Sequence, residues 1–499
     1  MRTRMKIALV LLLVSLTGMS CGGDPGSGDP DGHELRLIDG TSISADEMER
    51  YVTAVMDSAG VTGLQMAIIN DGRVVYTHEF GLKSRRSGLP PDSGTVFAGC
   101  SFGKPVFAYL VMQLVEDGTL DLDRPLADYL DGPLEDYVMW SALKDDGRMR
   151  EITARRVLTH TTGWPNLRMQ MEGGTLGFVY PPGERFSYSG EGFDFMQFVV
   201  EQVTGTSVAV PAREKIFAPL DMSRTSYVWS EAFESNHADG HTEEQRRIKI
   251  NRRSKPSAGG SLVTTASDFA RFVVAILNAE GLSQGSIDQM LSAQVPVLSA
   301  RMFGPLAKDT TETSRPIHLS WGLGWGLFES EYGRAFFHTG HDVGWENYTV
   351  TYLNKKIGIV LLSNSSNFES IAGRIVRRAI GDSRSPFEWL GFEPFDPLVP
   401  PPPPEPERET VPIDPAILSS VVGEYQVEPG VSIVLEVRDG SLVGSGEGKY
   451  WDEVMAVSET EFFIDGKPWV FTFTRDCDGV VTDMVILYEG LKIPAKKIR

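Results

Sequence analysis

Five consecutive prolines, Pro400–Pro404, followed by Glu405-Pro406-Glu407, interrupt this chain at a point that no regular element can cross. Proline has no N–H to give to a helix or a sheet ladder and locks φ near −65°, so such a run forms an extended polyproline spacer. The chain is thereby cut in two. A large unit over 41–396 precedes a stiff linker over 397–411, and a small unit over 412–499 follows. At 499 residues the chain exceeds what one hydrophobic core organises, which also calls for more than one domain.

The small unit reads as all-β. Val431–Val437, Ser441–Val443, Glu461–Ile464, Val470–Thr474 and Val481–Leu487 are strand-like runs, punctuated by Asp439-Gly440, Asp465-Gly466 and Asp478-Gly479. Phe471 and Phe473 alternate with Thr472 and Thr474, the pattern of a strand with one buried face. A small antiparallel β-domain or barrel fits, and it carries no catalytic cluster.

The N-terminus is a targeting segment. Arg2, Arg4 and Lys6 precede an apolar run, Ile7 to Leu16, that is too short to span a bilayer. Gly18 and Ser20 then lead to Cys21. This resembles a bacterial lipoprotein signal over 1–20, with Cys21 the lipidated residue and 21–40 a flexible hydrophilic tether rich in Gly, Asp, Ser and Pro. It implies export to the cell envelope and a membrane partner reached through the lipid. Formal net charge is −20. Removing the signal takes away three basic residues and gives −23. An exterior this acidic argues against nucleic acid as a partner. The other cysteines, Cys100 and Cys477, lie too far apart in sequence to suggest a disulfide framework and read as buried thiols.

In the large unit Ser44 and Glu47 form a capping box that opens a helix running to about Ala59. Leu64–Asn70 and Val74–Glu79 flank Asp71-Gly72 as a hairpin, and Tyr348–Leu353 and Ile357–Asn364 repeat the pattern around Asn354-Lys355-Lys356. The stretch Phe368 to Ile380 is helical. Helix–hairpin at one end and hairpin–helix at the other predict an α+β fold, with one antiparallel sheet whose first and last helices share a face. The middle, roughly 100–320, reads as a mostly helical lobe.

Ser101-Phe102-Gly103-Lys104 places a hydroxyl and an amine three residues apart, on one face of a helix. A serine hydroxyl attacks a carbonyl only when a base takes its proton, and a partly desolvated lysine can serve. The spacing alone is weak, because Ser141-Ala142-Leu143-Lys144 has it too. Context separates the copies. Val106 to Val115 is apolar on nearly every face, and Pro105 is tolerated only in a first turn, so a buried helix begins near Ser101. Its N-terminus presents free N–H groups that stabilise negative charge. Ser141 runs instead into the polar turn Asp145-Asp146-Gly147.

The segment Phe97 to Tyr129, FAGCSFGKPVFAYLVMQLVEDGTLDLDRPLADY, resembles the nucleophile segment of the serine β-lactamase and penicillin-binding-protein-like hydrolases, in the branch related to class C β-lactamases. Ile152–Pro165, the run Pro182-Gly183-Glu184-Arg185-Phe186-Ser187-Tyr188-Ser189, Gly259-Gly260, Trp321–Trp325 and His338-Thr339-Gly340 follow in the family's order, so the resemblance spans about 41–390. It implies a β-lactamase/transpeptidase-like fold, with a lipocalin-like β extension. It also implies roles. Ser101 is acylated, Lys104 accepts or holds its proton, and Tyr188 carries the proton to the leaving group and later activates water. The backbone N–H groups of Ser101 and His341 form the oxyanion hole, and His338, Thr339 and Gly340 line the substrate.

Two departures from the family's pattern bear on substrate. Gly190 stands where an amide side chain often holds the substrate's amide, and His338 replaces the lysine of a Lys-Thr-Gly triad. A histidine near its reference pKa of about 6.5 is mostly neutral at pH 7, whereas lysine is a permanent cation. On this reading His338 sets substrate class through charge. His160 reads as a loop brace. Trp321, Trp325 and Trp345 either wall the cleft or pack in the core. The pairs His338/His341 and His237/His241 lie in Gly-rich turns without framing carboxylates, so no metal and no cofactor is expected. Three functions fit these residues: an esterase, amidase or peptidase acting on a small-molecule or peptide substrate; a β-lactamase or D-alanyl-D-alanine carboxypeptidase; or an inactive cell-envelope binding scaffold.

Overall fold

The computed structural model describes residues 34–171, 174–396, 398, 410–438, 440–446, 452–464, 466–488 and 490–499. The signal segment, Cys21, the tether up to residue 33 and the proline run lie outside the described residues. Packing is already present at Glu34–Arg36, which pairs with Ser42–Ser44. Leu35 and Ile38, in the stretch the sequence assigns to the tether, are buried.

The large unit is built from α1 (Ala45–Ala59), β1 (Gly63–Asn70), β2 (Arg73–Gly81), β3 (Phe97–Cys100), α2 (Gly103–Glu116), α3 (Gly190–Thr204), β4 (Leu262–Thr264), α4 (Ala266–Leu277), β5 (Val295–Pro296), β6 (Ser320–Trp321), β7 (Gly326–Ser330), β8 (Gly333–Asp342), β9 (Trp345–Tyr352), β10 (Ile357–Ser363) and α5 (Glu369–Ile380). One antiparallel sheet has the order β2-β1-β10-β9-β8-β7-β6-β5, so the first hairpin docks against the last strand. Ser44 caps α1 by accepting from Glu47 N at 3.3 Å. Glu47 does not close the box. Its carboxylate pairs with Arg378 of α5 and ties the two terminal helices together. At the β1–β2 turn Asp71 and Gly72 both take positive φ, 52° and 67°, as a two-residue hairpin requires.

Side-chain alternation sorts the sheet into two cores. Met66 and Ile68 of β1, with Ile359 and Leu361 of β10, pack on Val52, Met56, Ile371 and Ile375 of the terminal helices. Ala67, Ile69, Val360 and Leu362 point the other way, into the lobe around α2 and α4. The lobe is less helical than expected. From Leu126 to Gln170 it is mainly short 3₁₀ turns joined by loops, with one five-residue α-helix at Ala154–Leu158.

The small unit is a closed antiparallel barrel of eight strands, β11 (Gly423–Glu428), β12 (Val431–Arg438), β13 (Ser441–Ser445), β14 (Asp452–Ala456), β15 (Glu461–Ile464), β16 (Val470–Arg475), β17 (Val481–Tyr488) and β18 (Leu491–Lys497). Tyr425 pairs with Lys497 and closes it. Phe471 and Phe473 point in, with Tyr425, Phe462 and Met484. Cys477, expected to be buried, is exposed, because it sits in the turn between β16 and β17. The barrel touches the large unit through Tyr488, whose hydroxyl donates to Asp342 at 2.6 Å, and through Glu428, 3.3 Å from Arg168.

Candidate active site

Helix α2 begins at Gly103, so Ser101 lies in the turn leading into it rather than inside it. Cys100, the last residue of β3, has φ 50°, a left-handed backbone that a β-carbon disfavours by roughly 1–2 kcal/mol. That kink swings the chain from strand to helix just before the serine. Pro105 falls in the first turn, where its missing N–H costs nothing. Lys104 is buried, and its Nζ donates to Ser101 Oγ at 3.2 Å and to the carbonyl of Gly259 at 2.6 Å. The Gly259 carbonyl also accepts from Ser101 Oγ at 3.4 Å. Nζ lies 4.9 Å from the centre of the Tyr188 ring.

Tyr188 is held on several sides. His160 stacks on it at 4.2 Å between ring centres, and Phe303 meets it edge-on at 5.2 Å. His160 also fixes the backbone on both sides of the tyrosine. Its carbonyl accepts from Ser187 N at 2.8 Å and its Nδ1 from Ser189 N at 3.1 Å. Accepting that bond requires an unprotonated Nδ1. Burial foremost, then Lys104 and His338, holds the ring far below the usual imidazole range. His160 braces the loop.

Strand β8 runs past the serine on the far side. A β-carbon on Gly340 would lie 2.4 Å from the carbonyl of Gly99, so only glycine lets β8 approach β3 this closely. Asn347 of β9 reinforces the contact by donating to Ala98 O at 2.9 Å. His341 is the next residue, which carries its backbone beside the Ser101 turn. His338 and Thr339 are buried. The His338 ring lies edge-on to Trp321 and Trp325, with Nδ1 2.6 Å from the carbonyl of Thr339. Burial, with Lys104 adding to it, lowers His338 to about 3. A titration near 6.5 is thus replaced by one near 3, and the ring is neutral across the working range. The His341 side chain turns to the buried carboxylate of Glu346. Trp321, Trp325 and Trp345 are all core residues rather than cleft walls.

Sequence reasoning missed one residue here. Position 190 cannot hold a side chain, because a β-carbon there would meet Asn166 O at 2.7 Å and Asn166 Oδ1 at 3.1 Å. Asn166 Oδ1 accepts from Gly190 N at 3.0 Å, so an amide absent from position 190 is present in the same space from another loop. The loop is pinned to the start of α3 by a buried ion pair. Arg168 donates through Nη2 to Glu191 Oε2 at 2.6 Å and through its backbone N to Oε1 at 2.7 Å. The signal was the glycine itself, which leaves room that a packed protein must fill. Among the described residues no cluster of three or more metal-ligating side chains occurs.

A strand–turn–helix serine, a buried lysine on its hydroxyl and a stacked tyrosine ring against that lysine define a nucleophile site of the acyl-transfer kind. The chain belongs to the Beta-lactamase family, whose model matches residues 48–381. It is 24% identical over 458 residues to Penicillin-binding protein 4* of Bacillus subtilis (strain 168), covering 84% of this chain and 91% of that one. It is 27% identical over 394 residues to Penicillin-binding protein 4 of Amycolatopsis lactamdurans, covering 74% and 94%. The octameric penicillin-binding protein homologue from Pyrococcus abyssi superposes with a TM-score of 0.55 at 21% identity, covering 91% of this chain and all of that one, a likeness of fold.

Proposed function

We propose that this chain is a serine hydrolase that cleaves an ester, amide or peptide bond of a small-molecule or peptide substrate through an acyl-enzyme on Ser101. The observation that carries this is Lys104 Nζ, buried and 3.2 Å from Ser101 Oγ with the Tyr188 ring against it. The hydroxyl proton passes to the Lys104–Tyr188 pair as Oγ bonds to the carbonyl carbon. The oxyanion is received by the N–H groups of Ser101 and His341, each such donor being worth about 3–4 kcal/mol in the transition state. Tyr188 protonates the leaving group as the old bond breaks. Water then takes the reverse path, releases the acid and restores the serine. Thr339 and Gly340 form the wall beside the acyl carbon, with the His338 ring packed behind them against Trp321 and Trp325. The enzyme acts in the cell envelope, exported by its first 20 residues and held to a membrane by a lipid on Cys21. No helix among the described residues is long and apolar enough to cross a membrane.

The test is an acid quench during turnover of a chromogenic ester, followed by intact-mass measurement. The wild type should carry one acyl group and Ser101→Ala none. An acylated Ser101→Ala protein would sink the assignment.

A further inference from the structure

The loop from Leu298 to Thr311 is closed on itself and tied to the segment that carries Tyr188. Thr311 N donates to Leu298 O at 2.8 Å, and Ala300 N to Asp309 O at 3.0 Å. Arg185, three residues before Tyr188, donates to Lys308 O at 3.2 Å and to Ala307 O at 3.4 Å. Met302 is buried, and its N–H donates to Trp389 O at 2.9 Å. These bonds fix the backbone on both sides of the next residue, Phe303.

The Phe303 ring meets the Tyr188 ring edge-on at 5.2 Å, the spacing of a favourable T-shaped pair. Tyr188 is its one ring contact among the described residues, and neither core includes it. Phe303 is nonetheless 44% exposed, the one aromatic among the large apolar side chains left in solvent by the described residues. Leu298 and Leu306 of the same loop are exposed as well. A β-carbon on Gly304 would meet nothing within 4 Å, so the chain beside Phe303 borders open space. Single exposed apolar residues are common on protein surfaces. This one is held by a fixed loop against the side chain that handles the proton.

We propose that Phe303 is the specificity-determining residue of a leaving-group subsite, and that the subsite takes an apolar group on the departing alcohol or amine. The inference rests on the serine-hydrolase reading, in which Tyr188 protonates the leaving atom. Whatever that atom carries then lies beside Tyr188, where the exposed ring offers apolar surface. Covering the ring removes apolar area from water, and most so when the substrate brings apolar area of its own.

The probes are 2-phenylethyl acetate and ethyl acetate, which share the acyl group and a primary alkoxide leaving group and differ in the apolar tail. The wild type should prefer the phenylethyl ester, and Phe303→Ala should lower the ratio of the two kcat/KM values about tenfold. Phe303→Leu should keep part of the preference. Ethyl 3-phenylpropanoate carries the same ring on the acyl side, and its ratio to ethyl acetate should not respond to either variant. Fluorophosphonate labelling of both variants shows that they are folded with the serine reactive. A residue that only props Tyr188 would slow both acetates alike. A ratio unchanged by Phe303→Ala, with hydrolysis still requiring Ser101, therefore overturns the subsite alone. A fall confined to the acyl-side pair overturns its placement at the leaving group. Hydrolysis of ethyl acetate by Ser101→Ala overturns the hydrolase reading and the subsite with it.

Discussion

Two Ser-x-x-Lys tetrads lie 40 residues apart in this chain, and they share nothing but spacing. At Ser101 the lysine is buried, its Nζ donates to the serine, and a helix buried without a break from Gly103 to Met112 follows. At Ser141 the tetrad is a lone 3₁₀ turn, Ser141 Oγ donates to Val138 O at 3.1 Å, and Lys144 is exposed. The difference teaches that the chemistry resides in desolvation and packing, which the four residues after the tetrad decide.

Breaking each lysine should separate the copies most sharply. Lys104→Ala should lower kcat by about 1,000-fold, within the range of lost proton-transfer catalysts. Lys144→Ala should leave ester turnover unchanged in the same assay. Equal losses would mean that the buried tetrad is not special. The Tyr188→Phe variant keeps the stacked ring and removes one oxygen, so kcat should fall about 100-fold with little change in KM. A near-normal rate would leave Lys104 as the whole proton path.

Glycines offer a finer comparison of the same two regions. Gly340→Ala drives a methyl to 2.4 Å from Gly99 O, so β8 must move off the serine turn. Turnover should fall about tenfold through the displaced oxyanion donor, for which complete removal costs more. Gly147→Ala, beside the second tetrad, meets nothing within 4 Å and should be silent.

Smallest is a pH effect on stability. His338 is lowered to about 3 and His241 to about 4, both chiefly by burial. Their contribution is complete above the unfolded value near 6.5 and is lost as pH falls from there toward the folded values. Each group should steepen the loss by about 1.4 kcal/mol per pH unit. His338→Gln should flatten urea-unfolding stability between pH 6.5 and 5 by one such increment. An unaltered slope would mean that His338 takes up a proton in the folded state.

The large elements were legible because each has a local cause. Asp71-Gly72 sets a hairpin, Pro105 sets a helix start, and Pro400–Pro404 sets a division. Strands β11, β14 and β18 of the barrel escaped notice. β18 carries Lys492, Pro494 and Lys496 and buries only Ala495, so it has almost no apolar pattern, and pairing with β17 along its length and with β11 at its end makes it a strand. In the site, Ser101, Lys104 and Tyr188 were readable from their segments. Asn166 was not, because it reaches position 190 across 24 residues through a tertiary hydrogen bond. Burial of His338 was hidden for the same reason. Neutrality at pH 7 follows from its type, but a titration near 3 comes from Trp321, Trp325 and Lys104, which surround it only after folding.

The central claim is that one serine of the two tetrads is activated by its surroundings. Its most direct test is to react the intact protein with a fluorophosphonate and map the adduct by peptide mass spectrometry. The account predicts a single phosphonylated peptide containing Ser101, with the peptide containing Ser141 unmodified. An adduct on Ser141, or none on Ser101 in folded protein, would contradict it.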